Sequence, residues 1–212
     1  LRRSQELGEL AGAPQNPYRW HATMARLVAA QGDLDGALDL LQAAERLYAG
    51  DFFPNEQPLA ARKARLWIRQ GRLGEAWGWA HVQGLAAADD LSYLREFEHI
   101  TLARLLLARH AHDPAGGALV AAMTLLARLL AAAEAGGRGR SVIEILLLQA
   151  LALQMQGAGP TQDMPPAALA PLARALALAE PEGYIRLFVD EGLPLAQLLT
   201  ETAQHAIAPT YV

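Results

Sequence analysis

The sequence predicts an all-α fold, a right-handed superhelix of stacked helical hairpins (an α-α superhelix), and three observations carry that prediction. One phrase returns at a fixed interval: "MARLVAAQG" begins at Met24, "KARLWIRQG" at Lys63 and "LARLLLARH" at Leu102. Ala25, Ala64 and Ala103 are 39 residues apart each time, and "QALALQMQG" puts Ala150 in the equivalent place. Self-similarity at such a period marks a repeat architecture. Helix start and stop signals are frequent while strand signals are nearly absent. Finally, 212 residues that are 52% hydrophobic and 19% charged suffice for a real core and are too apolar for disorder.

The elements follow in order. "LRRSQELGELAG" reads as the end of a preceding helix, with residues 1–16 forming that end and a linker, so the chain reads as a piece of a longer protein. Asn16 is expected as an N-cap with Pro17 at the first helical position, where its missing N–H costs nothing. That helix should run to about Gln31 and stop at Gly32, and Asp33 should cap the next, which ends near Gly50. Asp113-Pro114 repeats the cap-then-proline device, and Gly136-Gly137 closes that helix. Ser141 and Glu144 have capping-box spacing. Pro165-Pro166 opens another helix after the insertion "GPTQDMPP", and Pro181-Glu182-Gly183 separates it from "YIRLFVDEG".

The spacing of His21, Met24, Ala25, Val28, Ala37 and Leu41 follows the tetratricopeptide pattern, in which a small residue lets two antiparallel helices cross closely. Units are expected at about 17–50, 56–88, 92–135 and 141–180, with terminal helices at 184–205, giving a repeat domain of residues 17–205 and a linker at 206–212.

Composition closes off several functions. There is no cysteine, hence no disulfide framework, thiolate metal site or cysteine nucleophile, which fits a cytoplasmic location. The formal charge is −4: residues 1–110 carry 13 basic and 13 acidic side chains, residues 111–212 carry 5 and 9. No basic stripe suited to a nucleic acid backbone results. The apolar runs "PAGGALVAAMTLLARLLAAAEA" and "VIEILLLQALALQM" are interrupted by Arg128, Glu144 and Gln149, so no membrane span is expected.

"RSVIEILLLQALALQMQG" followed by "LARALALAEPEGYIRLFVDEGLPLAQLL" resembles the end of the helical-repeat domain of MalT-like, ATP-dependent regulators of the LuxR type. "ARLVAAQGDLDGALDLLQAAERLYAG" and "ARLWIRQGRLGEAWGWA" resemble earlier repeats of that domain. The resemblance implies a sensor superhelix that receives an effector molecule or a regulatory protein and controls self-association. It places a nucleotide-binding switch before the repeats and a helix-turn-helix after them. This chain has no G-x-x-x-x-G-K-[ST] loop, so no cofactor is expected here, and ATP and DNA would be handled by other parts of the parent protein. The alternative is a protein-docking scaffold without a small-molecule ligand.

The candidate groove residues are Arg19, Arg26, Arg65, Arg104, Glu144 and Gln154. Arg26, Arg65 and Arg104 hold one position in three successive first helices. In a tetratricopeptide-like stack it faces the concave side, with Ala22, Ala29, Ala61, Ile68, Phe97, Ile100, Leu107 and Leu147. A ladder of planar guanidinium groups could hold a carboxylate or phosphate. The plainer reading, and the preferred one, is that each arginine pairs with a neighbouring acid or lies along its helix with its head in water. The fourth copy has Leu151 there, which ends the ladder.

Glu96 and His99 have the Glu-x-x-His spacing of di-iron bundles, but a second pair is missing, and a buried crossing-point histidine is the better expectation. In "RHAHD", His110 and His112 fall on different sides of a helix, and "GGRGR" reads as an interhelical turn. Trp77 and Trp79 cannot both face inward. No serine, histidine and acid set supports nucleophilic catalysis, so no enzyme is expected.

Overall fold

The computed structural model describes residues 14–48, 55–157 and 166–204, together with positions 3, 6, 10 and 12. The described residues are all-α, with ten helices and no strand. The chain divides into two compact units, residues 1–85 with 92–101 and residues 86–91 with 102–212.

Unit 1 contains α1 (Asn16–Ala30), α2 (Leu34–Arg46), α3 (Leu59–Arg69) and α4 (Leu73–Val82). Helix α1 packs on α2, α2 on α3, and α3 on α4. Helix α5 (Glu96–His112) begins in unit 1 and passes into unit 2 at Leu102. Unit 2 continues with α6 (Ala118–Ala135), α7 (Gly139–Gly157), α8 (Pro166–Ala179), α9 (Ile185–Val189) and α10 (Leu193–Gln204). Its main hairpins are α6 on α7 and α7 on α8.

The returning alanines do what their size suggests. Ala25, Ala64, Ala103 and Ala150 are at most 2% exposed, and so are Ala37, Ala76, Ala80 and Ala168 on the second helices. A methyl group is the largest side chain that lets neighbouring backbones approach this closely. Leucines fill the rest: Leu38, Leu41, Leu59 and Leu66 pack with Tyr18 in unit 1. Leu125, Leu126, Leu129, Leu147 and Leu148 form the buried rows of α6 and α7.

The trailing Gln-Gly is a helix stop. At α1, Gly32 has φ +93° and donates to Ala29 O, while Asp33 N donates to Val28 O at 3.3 Å. At α3, Gly71 has φ +72° and donates to Ile68 O, while Arg72 N donates to Trp67 O at 2.9 Å. This is the Schellman arrangement, which satisfies the last carbonyls and requires a left-handed residue. A Cβ built on Gly71 meets no atom within 4 Å, so a substitution there is opposed by backbone conformation alone. Gly71→Ala should therefore cost about 1–2 kcal/mol in urea unfolding. A loss below about 0.3 kcal/mol would show that the left-handed geometry is not required.

Several expected boundaries move. Helix α1 begins at Asn16 itself, so the N-cap is Gln15, which makes no side-chain cap bond. Asp33 caps α2 as expected, its Oδ1 accepting from Gly36 N at 2.8 Å, but α2 ends at Arg46. Asp113 caps only a short 3-10 turn, Pro114–Gly116, and α6 starts after Gly117 in the left-handed region. The expected capping box fails: α7 begins at Gly139, which puts Ser141 inside its first turn, and Glu144 is drawn to Arg104 instead. The Gln156-Gly157 pair differs from Gly32 and Gly71 in that Gly157 is itself the last residue of α7. Gly50, the insertion "GPTQDMPP" up to Pro165 and the expected linker at 206–212 lie outside the described residues, as does nearly all of the segment before Pro14.

Candidate functional site

The arginine positions resolve into one sequence relation with three different outcomes. When the copies are aligned on Ala64, Ala103 and Ala150, the residues six places earlier are Pro58, Phe97 and Glu144. Each arginine follows the aligned alanine of the preceding copy. Arg65 lies over the Phe97 ring, with its guanidinium carbon 3.7 Å from the centroid, and its Nε donates to Thr101 Oγ1 at 2.8 Å. Arg104 meets Glu144. Pro58 offers neither charge nor an aromatic face, and Arg26 is exposed and makes no ion pair among the described residues.

Arg104 is the most elaborated of the three. In unit 2 its Nε and Nη2 donate to Glu144 Oε1 at 3.2 and 3.0 Å. Its Nη1 and Nη2 donate to Glu191 Oε2 and Oε1 at 2.8 and 2.5 Å, the two-pronged geometry that suits a planar guanidinium. The side chains are 19% (Arg104), 6% (Glu144) and 8% (Glu191) exposed. Burial works against the charge on Arg104, but the carboxylates of Glu191 and Glu144 outweigh it and hold its pKa above the ordinary arginine value. A guanidinium so engaged has little to offer an incoming anion.

Other polar side chains join elements separated by about one repeat. In unit 1, Gln70 donates to Asp35 Oδ1 across 35 positions and Arg69 to Ala29 O across 40. In unit 2, Arg128 donates to Ala87 O and Asp89 O across 41 and 39 positions. Arg174 pairs with Glu134 at 2.6 Å. These bonds staple successive hairpins. Gln70–Asp35 and Arg174–Glu134 are polar pairs roughly one period apart in the sequence, whereas the arginine bonds to backbone carbonyls leave no such signal.

The remaining candidates fall as follows. Arg19 is exposed, with its Nε donating to Tyr18 Oη at 3.4 Å. Arg19 and Arg26 are seven residues, about two turns, apart on α1 and so share a face. Gln154 is half-buried on α7. Ala22, Ala29, Ala61, Ile100, Leu107 and Leu147, expected to face the groove with the arginines, are buried. Glu191 went unrecognised as a site residue: it falls in the stretch expected as terminal helices, and its partner is 87 positions away.

His99 is fully buried with Nδ1 3.0 Å from Arg95 O, the crossing-point role expected of it. No group of three His, Asp or Glu residues suited to a metal is found among the described residues. Trp79 is buried and Trp77 half-buried. Helix α6 is long and apolar enough by composition to cross a membrane, but it carries a buried stripe, Leu119, Ala122, Leu126, Leu129 and Ala133, at core-helix spacing.

A family model described as the MalT-like TPR region matches residues 1–205. No curated protein and no solved structure matches the chain significantly.

Proposed function

The chain belongs to the family of MalT-like TPR regions, and on that premise we propose that it is the signal-receiving, protein-interaction part of a LuxR-type bacterial transcriptional regulator. It takes an effector molecule or a regulatory protein on the concave face of its repeats. The bound species favours one conformational or assembly state over another and shifts the population toward it. Such a regulator works in the cytoplasm, with ATP and DNA contacts falling to its other parts.

The family match over residues 1–205 supports this reading most strongly. The state of the repeated arginines supports placing recognition on α1. Arg65 and Arg104 are occupied by packing, whereas Arg26 is exposed on α1 and makes no ion pair among the described residues. An exposed guanidinium group at Arg26 suits an acidic segment of a protein or an anionic metabolite.

The test is a thermal-shift screen of the chain against cellular metabolites alongside binding assays with co-expressed regulatory proteins, each repeated with the Arg19→Glu/Arg26→Glu variant. The expected outcome is a binder whose affinity drops at least tenfold in that variant, about 1.4 kcal/mol, while the melting temperature stays unchanged. Binders indifferent to the charge reversal would contradict the assignment to α1. A protein binder with no metabolite binder would favour the docking scaffold.

A further inference from the structure

Unit 2 closes with a segment, Ile185–Gln204, that is held differently from the helices before it. Among the described side chains it buries Phe188 on α9 and Leu195 and Leu198 on α10. Helix α7, by contrast, buries ten side chains between Val142 and Ala152. The segment's strongest polar attachment lies at the turn between its two helices, where Glu191 reaches Arg104 with both carboxylate oxygens.

The two carboxylates on Arg104 are not equivalent. Glu144 rides on a long helix buried along most of its length. Glu191 sits in the short link between α9 and α10, followed by Gly192 at φ +70°. Separating a buried ion pair is ordinarily costly because it strands an uncompensated charge. Here, if Glu191 departs, Arg104 keeps Glu144, and Glu191 enters water. No buried charge is left alone.

The segment also exposes three large apolar side chains beside the Arg186–Asp190 ion pair. Ile185, Val189 and Leu193, spaced four apart, are 60%, 57% and 81% exposed. Detachment would add Phe188, Leu195 and Leu198 to that exposed set.

We propose that Ile185–Gln204 is a detachable strap on unit 2 and that the Arg104–Glu191 contact is the latch setting how often it opens. Opening bares the parts of α7 and α8 on which α9 and α10 rest. It is a local, sub-global event, distinct from unfolding of the unit. The device belongs to unit 2 alone and holds whatever binds α1.

Native-state hydrogen exchange read by mass spectrometry on the whole chain tests it, comparing wild type with Glu191→Ala and Glu134→Gln. The second variant removes the exposed Arg174–Glu134 pair and serves as the control. In Glu191→Ala, amides of residues 185–200 should exchange at least about tenfold faster, as loss of a charge-assisted contact implies. Residues 142–152 should keep wild-type protection, and Glu134→Gln should leave 185–200 unchanged. Unchanged exchange at 185–200 in Glu191→Ala would overturn the proposal. Equal acceleration across 142–152 would overturn it as well, since the segment would then open only with the unit.

Discussion

Arg104→Met is expected to destabilise unit 2 by about 3–5 kcal/mol, the cost of removing one partner from a buried ion pair. Two carboxylates, each less than a tenth exposed, would then stand close together without a counterion. Methionine keeps a stem of similar length, so most packing is retained and the loss reports mainly the charge. In a thermal melt the transition of unit 2 should fall by roughly 10–20 °C. Arg26→Met, at the equivalent position in the repeat, should change stability by no more than about 0.5 kcal/mol, because Arg26 is exposed and makes no ion pair among the described residues. Similar losses for the two substitutions would mean that their environments do not differ as described.

Ala64→Leu is the second substitution with a large expected effect. Ala64 is fully buried on α3, at the position where Ala25, Ala103 and Ala150 recur. Three added carbons have no room without pushing the paired helix outward, and overpacking of this kind costs about 1–3 kcal/mol. Ala30→Leu, at an exposed position near the end of α1, should stay within about 0.5 kcal/mol. Urea unfolding of both variants checks the difference. A near-neutral Ala64→Leu would mean that the recurring alanine reflects composition and not close helix crossing.

The fold was legible because its signals are local and periodic. The Asp33 cap and the glycine stops at Gly32 and Gly71 can be read within one or two turns of chain, and the alanine that recurs at 25, 64 and 103 is read from its fixed interval. Helix starts were harder. Gln15 and Gly139 precede the capping residues that the sequence favours, because tertiary packing extends a helix past a marginal start. The Ser141–Glu144 pattern misled because α7 already begins at Gly139, which puts Ser141 inside the first turn and not at the N-cap.

The candidate site was legible in position and not in role. Placing Arg26, Arg65 and Arg104 at one repeat position is correct as sequence. What each does depends on the residue that the next copy supplies: a proline, a phenylalanine or a glutamate. That dependence spans a whole repeat and is invisible to any argument made helix by helix. Glu191 shows the same limit at longer range, since nothing near "FVDEG" points to an arginine 87 positions earlier.

The central claim is that two of the repeated arginines, Arg65 and Arg104, are spent on joining successive helical elements within their units. A double-mutant cycle on Arg104 and Glu144, using Arg104→Met and Glu144→Gln with unfolding read in denaturant, tests it most directly. A coupling energy of about 2 kcal/mol is predicted for groups in one buried network. Additive effects, with coupling below about 0.4 kcal/mol, would contradict the claim and return Arg104 to the set of groups free to bind a ligand.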